Sequence, residues 1–249
     1  MLNIFIVSLF FTLGLSNEWI EINSTSPQKP VIEIVSSDIE STQLLFELSG
    51  FSLKPVFIND TEYFDIIIPT AASIMQSGFP DIPKFSTSII IPDNKHMNVE
   101  VISSEYIDYQ DINIIPSKGN LSRLINPADI DYEFDEIYQE NTFYPGNIVE
   151  LNEPYILRDF RGQVIEFHPI QYNPATKVLR VYTDIEIHVY SDNDNSINPF
   201  IRDKQPDTLD NEFKNIYDSH FLNFENNTRF EYLVDQGSML VISYGDFMD

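Results

Sequence analysis

"KVLRVYTDIEIHVY", residues 177–190, alternates polar and apolar side chains almost without a break. Val178, Arg180, Tyr182, Asp184, Glu186 and His188 fall on one face, and Leu179, Val181, Thr183, Ile185, Ile187 and Val189 on the other. Successive side chains of a strand point to opposite sides of its sheet, so one side of this strand packs and the other is wet. Just upstream, "YNPATK" (172–177) sets Asn173-Pro174 between two such runs and predicts a tight hairpin.

Working outward, the same signals recur in "PVIEIVS", "TQLLFELSGFSL", "EYFDIIIPTA", "FSTSIIIPD", "NVEVISSEYID" and "QVIEFHPIQYN". Each is rich in Ile, Val, Phe, Tyr or Thr, and most are bounded by Pro, Asn, Asp or Gly. The expected fold is all-β, an antiparallel β-sandwich over about residues 30–190. After Tyr190 the composition turns polar and proline-bearing in "SDNDNSINPFIRDKQPD", which reads as a linker or exposed arm. Beyond it Leu209, Phe213, Ile216, Tyr217 and Phe221 recur near helical spacing behind Asp207 or Thr208, predicting one short amphipathic helix. Met239–Ile242 then begins an apolar run of the kind that starts a buried parallel strand, so residues 230–249 read as the opening of a second domain.

At the other end, the run from Leu2 to Leu15 followed by Gly14-Leu15-Ser16 reads as a secretory signal peptide (1–16), cut between Ser16 and Asn17. A helix of about 14 residues rises about 21 Å, short of a hydrocarbon core of about 30 Å, so no transmembrane anchor is expected. The chain has 249 residues, 43% hydrophobic, enough for a sizeable core. It holds no cysteine, which excludes disulfides, thiolate nucleophiles and cysteine-ligated metal. With 14 Lys+Arg against 39 Asp+Glu the net charge is −25, a surface that repels nucleic acid.

The chain is poor in catalytic motifs. His96, His168, His188 and His220 lie in unrelated contexts without HExxH spacing, and there is no GxSxG elbow, P-loop or GxGxxG. "DIDYEFDEIYQE" and "SDNDNS" offer hard oxygens, yet Asp192-Asn193-Asp194 lacks the glycine and distant glutamate of a calcium loop, so these read as solvated carboxylates. No metal and no cofactor is expected. With 13 Tyr and 19 Phe, a stand-alone carbohydrate-binding or adhesive sandwich is the alternative reading.

One loop stands apart. "PSKGNLSRLINP" (116–127) is bounded by Pro116 and Pro127, with Gly119 free to take positive φ and Asn120, Ser122 and Asn126 as turn formers. Within an acidic chain it displays Lys118 and Arg123. The ordinary reading is a surface turn carrying a solvated arginine.

Longer blocks carry more information: "NVEVISSEYIDYQDINIIPSKGNLSR", "YPGNIVELNEPYILRDFRGQVIEFHPIQYNPATKVLRVYTDIEIHV", "FKNIYDSHFLNFENNTRF" and "MLVISYGDFMD". Their order and spacing resemble the N-terminal propeptide of gingipain-type cysteine peptidases, followed by the first strand of an α/β caspase-like catalytic domain. The resemblance runs over about residues 30–249 and is most specific from Tyr144 to Val189. It implies an intramolecular inhibitor and folding chaperone whose partner is the cognate catalytic domain, secreted or at the cell surface and monomeric. It also implies that the loop feeds Arg123, flanked by Ser122, into the peptidase's specificity pocket, with Lys118 as the fallback. The pro/mature junction falls on Arg229-Phe230, making residues 17–229 the propeptide. The family's catalytic cysteine and histidine would lie beyond Asp249, so this chain carries no catalytic residue of its own. Arg158 and Arg161 of "ILRDFRGQ" compete for the inhibitory role, but their place between strands and beside Asp159 reads as structural.

Overall fold

A computed structural model describes residues 6–7, 19–192, 196–202, 208–209, 211–225 and 231–232. In chain order the strands are β1 (Ile6–Val7), β2 (Trp19–Glu21), β3 (Val31–Ser37), β4 (Ser41–Glu47), β5 (Gly50–Ile58), β6 (Thr61–Ile67), β7 (Ala72–Ser73) and β8 (Pro83–Ile90). There follow β9 (His96–Tyr109), β10 (Val149–Leu151), β11 (Tyr155–Leu157), β12 (Phe160–Phe167), β13 (Ile170–Asn173), β14 (Val178–Asp192) and β15 (Thr208–Leu209). Helix α1 (Asn211–His220) and β16 (Glu231–Tyr232) complete the described elements.

The alternating stretch is β14, and it is central in its sheet. It pairs antiparallel with β9 on one edge and with β4 and β13 on the other, while β3 flanks β4 and β1 adds a short parallel pair to β9. Leu179, Val181, Ile185, Ile187 and Val189 are all fully buried, as the pattern requires. A register shift between Tyr182 and Asp184 departs from it. The faces keep their sense across it, and Tyr182, expected on the wet face, is buried because residues 143–146 cover that face: it donates to Gln171 at 2.9 Å, and Gln171 in turn donates to Pro145 O at 2.6 Å. The predicted hairpin joins β13 to β14, with Asn173 opposite Val178 and the Asn173 side chain accepting from Thr176 N–H at 3.2 Å.

The second layer has the order β10-β12-β8-β7, with β11 beside β12. Phe46 of β4 stacks on Phe167 of β12 at 5.2 Å and tilts against Phe85 of β8 at 5.6 Å, joining the two layers. Each such ring removed from water contributes on the order of 1.5–3 kcal/mol. A third sheet, β2-β5-β6, closes one end through Phe51, edge-on to Tyr109 at 5.5 Å. These sheets form the expected all-β sandwich.

The predicted helix is present but starts late. Thr208, expected near its cap, lies instead in β15, which pairs in parallel with β16. Ten residues are too few for a stable isolated helix, and α1 is held by a satellite aromatic core. Phe213, Tyr217, Phe221 and Phe224 pack with Phe160 and Ile90 on the second layer's outer face. Gly162 makes this approach possible, because a Cβ there would meet Phe221 at 2.6 Å and Tyr155 at 2.7 Å. The chain then runs beside β8: Leu222 N–H donates to Ser88 O at 2.9 Å. Buried Asn223 accepts from Ile90 N–H at 2.7 Å and donates to Ile90 O at 3.0 Å.

Candidate functional site: a twice-anchored arginine loop

The loop that follows β9 is built from its root. Buried Pro116 bridges Pro80, Ser117 N–H donates to Phe79 O at 2.7 Å, and Gly78 N–H donates to Ser117 O at 2.9 Å. Where the loop returns, Asp135 N–H donates to Gly78 O at 3.0 Å. Both ends are therefore fastened to the same short segment, 78–80. Gly119 takes φ +76° with its α-carbon face against Ser77, whose Cβ would lie 3.0 Å from an added Cβ, so this position favours glycine on two counts. Asn126 caps the first of two 3-10 turns, Pro127–Asp129, by accepting from Ala128 N–H at 3.2 Å.

At the apex, Ile125 N–H donates to Ser122 O at 2.9 Å, which makes Arg123 and Leu124 the central pair of a β-turn. Ser122 Oγ accepts from Leu124 N–H at 3.4 Å. Arg123 is exposed, and Leu124, 96% exposed, is the most solvent-bared large apolar side chain among the described residues. Lys118, weighed above as a second presented cation, is instead engaged inside the loop. Its Nζ donates to Pro127 O at 2.8 Å and lies 4.1 Å from the centre of the Tyr132 ring.

Below Tyr132 sit two carboxylates. Burial raises the pKa of Asp65, as does the nearby Asp81 charge, while Lys54 opposes. Burial likewise raises Asp81, against a hydrogen bond from Ser73 Oγ. Tyr132 is raised by burial and then by both aspartates. The loop root thus rests on a partly buried acidic pair.

The other described arginines are all engaged. Arg161 is 0% exposed, and all five of its N–H groups are used. Nε donates to Asn198 O at 3.0 Å, Nη1 to Pro92 O at 2.7 Å and Lys95 O at 2.8 Å, and Nη2 to Ser196 Oγ at 2.8 Å and Ile197 O at 2.7 Å. Burial lowers its pKa and the Asp93 charge opposes, yet a guanidinium stays protonated in proteins. Arg180 grips Asp108 through two bonds of 2.8 and 2.9 Å between the rings of Tyr106 and Phe143. Arg202 grips Asp93 at 3.0 and 2.9 Å and Asp159 O at 3.0 Å. Arg158, at a turn with φ +50°, covers the Phe213 ring at 3.7 Å and lies 3.6 Å from Asp159. Arg158 and Arg161 are therefore structural, as their position suggested, and the segment 196–202, read above as linker or arm, is pinned to the loop after β8. Among the described arginines only Arg123 has neither a side-chain hydrogen bond nor an ion pair.

Elsewhere, His188 lies between Ser41 Oγ (2.8 Å from Nε2) and Glu100 (3.1 Å from Nδ1) on the wet face of β14. An acyl-transfer centre also needs donors aimed at the developing oxyanion in a walled site. This row stands on an open sheet with Glu100 58% exposed, and it serves as a hydrogen-bond ladder. No cluster of three or more metal-ligating side chains occurs among the described residues. No helix among them is long and apolar enough to cross a membrane. The boundaries at Ser16-Asn17 and Arg229-Phe230, and the apolar run at 239–242, lie outside the described residues.

Fold and loop together define a β-sandwich domain of the propeptide class that displays Arg123 on an anchored turn. The family model Propeptide_C25 matches residues 23–231, and the chain belongs to that family. It is 35% identical over 220 residues to gingipain R2 of Porphyromonas gingivalis, an alignment covering 86% of this chain and 29% of the relative. With gingipain R1 of the same organism it shares 38% identity over 161 residues, 64% of this chain and 16% of the relative. The chain thus spans less than a third of these relatives' length. In structure it is similar to the complex of P. gingivalis RgpB pro- and mature domains, with TM-score 0.73, 34% identity, and coverage of 80% of this chain and 100% of that one. A chain from a study of the zymogenic latency of gingipain K, also of P. gingivalis, has the same fold at TM-score 0.58 and 18% identity, covering 70% and 99%. These likenesses favour the propeptide reading over the carbohydrate-binding one. Many of the rings that reading relied on, Phe46, Phe51, Phe167 and Tyr172 among them, are core.

Proposed function

We propose that this chain is the inhibitory and chaperoning propeptide of a secreted gingipain-type cysteine endopeptidase, with Arg123 occupying the specificity pocket of the catalytic domain as a substrate-like residue. The observation that carries it is the contrast among the described arginines: four are satisfied by carbonyls, carboxylates or rings, and one is raised unpartnered on a turn fastened at both ends. A guanidinium presents a fixed fork of donors that a carboxylate at a pocket base grips in two places. The anchored turn lowers the ordering cost a flexible substrate would bear. The family match runs to residue 231, two residues past Arg229, which supports processing at Arg229-Phe230. Phe224 is buried in the aromatic cluster. Arg229 follows five residues later, at most about 18 Å of extended chain. A domain beginning at Phe230 would start close to the sandwich, where tethering raises its effective concentration. The apolar run before Ser16-Asn17 supports export by a signal peptide.

The test titrates an arginine-specific gingipain-type peptidase with the purified chain and with its Arg123→Ala variant, recording inhibition and melting together. Loss of a desolvated central arginine costs about 2 kcal/mol or more, so inhibition should weaken roughly thirtyfold at unchanged melting temperature. Arg123→Lys should fall between. Equal inhibition by both folded proteins would sink the assignment.

A further inference from the structure

A substrate-like arginine in a peptidase pocket raises a second question: what keeps the Arg123-Leu124 bond from being lost by cleavage? We propose that Lys118 is a positioning residue that clasps the loop across this bond, so that the two ends made by a cut stay together and rejoin. The inference rests on the proposed inhibitory reading of Arg123.

The geometry is as follows. Lys118 lies on the N-terminal side of the bond and Pro127 on the C-terminal side, and Nζ to Pro127 O is 2.8 Å. The ammonium is seated over the Tyr132 ring at 4.1 Å, and the Ser122 O to Ile125 N–H turn bond of 2.9 Å crosses the same peptide. Without the clasp, the chain between the root contacts at Ser117 and Asp135 is residues 118–134; with it, the free chain is residues 119–126. That cuts the span from about seventeen residues to about eight, and the 3/2-power dependence of loop closure makes the encounter of the two cut ends about threefold more frequent. Cleavage adds one water across the amide, leaving the Arg123 carboxylate and the Leu124 amine. Rejoining expels that water, so a higher local concentration of the amine shifts the equilibrium towards the intact chain.

The test uses the purified chain and an arginine-specific endopeptidase unrelated to this family, run to equilibrium from both the intact and the nicked chain. Mass spectrometry gives the ratio of intact to Arg123-Leu124-nicked protein. Lys118→Met should lower that ratio about threefold at similar melting temperature. Lys118→Arg should restore it, since a guanidinium can donate to the carbonyl and lie on the ring. If Lys118→Met does not fold, Tyr132→Leu, which removes the seat but not the ammonium, should lower the ratio in the same direction. An unchanged ratio in a folded Lys118→Met protein, or no rescue by arginine, overturns the proposal. Because the ratio does not depend on the family's own peptidase, it can stand or fall apart from the Arg123→Ala inhibition result.

Discussion

Replacing Arg161 with methionine keeps the length of the side chain and its apolar stem while removing every donor. The four carbonyls of Pro92, Lys95, Ile197 and Asn198, with Ser196 Oγ, then lose their shared partner at a site with no exposed surface. Each buried acceptor left without a donor costs about 1–3 kcal/mol. Relaxation of the 196–198 segment towards water recovers part of this, so the net loss should be about 3–5 kcal/mol, the range seen when one partner of a buried charged contact is removed. For a domain of this size 1 kcal/mol moves the melting temperature by about 2–4 °C, which predicts a fall of about 6–20 °C. Lysine, with three donors for five acceptor contacts, should recover only part of it. The assay is calorimetric melting combined with hydrogen exchange at Phe200, whose N–H donates to Asp93 O at 2.7 Å and depends on the same segment. Melting within about 2 °C of wild type, with Phe200 still protected, would refute the view that this guanidinium fastens the segment to the sandwich.

Two further outcomes follow from the same contacts. Asp65 and Asp81 hold protons to higher pH when folded than their ordinary 3.8, so their ionised forms destabilise the native state above the raised values, and stability returns as the pH falls towards 3.8. Asp81→Asn, whose side-chain carbonyl still accepts from Ser73, should therefore raise the melting temperature at pH 7 and flatten its rise as the pH falls from 7 towards 3.8. A slope in Asp81→Asn equal to that of the wild type would count against a burial cost at Asp81. Glu166 works in the opposite sense: burial is outweighed by hydrogen bonds from Lys84 and Asn152, its pKa is lowered, and its contribution is lost only below 4.5. Gly162→Ala places a Cβ 2.6 Å from Phe221, an overpacking of about 1–3 kcal/mol. It should release α1 below the main melt, seen as an early loss of helical circular dichroism, whereas a single unchanged transition would show that α1 does not depend on this close approach.

How much of this was legible in the sequence depended on whether a feature is periodic. The sandwich, the 173–178 hairpin and the Phe213-Tyr217-Phe221 stripe all repeat at the spacing of their element, and each was found where the pattern put it. The burial of Tyr182 was hidden because the segment that covers its face, residues 143–146, comes from a separate part of the chain that leaves no mark on the alternation. The late start of α1 was missed because Thr208 is a good cap by type, and its pairing with Glu231 depends on a segment more than twenty residues away. Burial of Arg161 had only an indirect signal, its place beside Asp159 in "ILRDFRGQ", because the carbonyls that satisfy it come from two distant loops and a carbonyl carries no residue-specific mark.

Lys118 and Arg123 show the same limit at the candidate site. By sequence they are two cations in one loop, equally available, and only geometry separates the one that is used internally from the one that is offered. Lys118 has a carbonyl and a ring within reach because Gly119 at φ +76° turns the chain back and the 3-10 turn brings Pro127 alongside. Arg123, at the centre of a β-turn, is exposed and engages neither a carbonyl nor a ring. The tight turn that makes it presentable also prevents its guanidinium from finding a partner in its own domain. An exposed guanidinium is satisfied by water, and on a turn fastened at both ends it can exchange that water for a carboxylate on another surface at little ordering cost, which is the physical content of the proposed inhibitory reading.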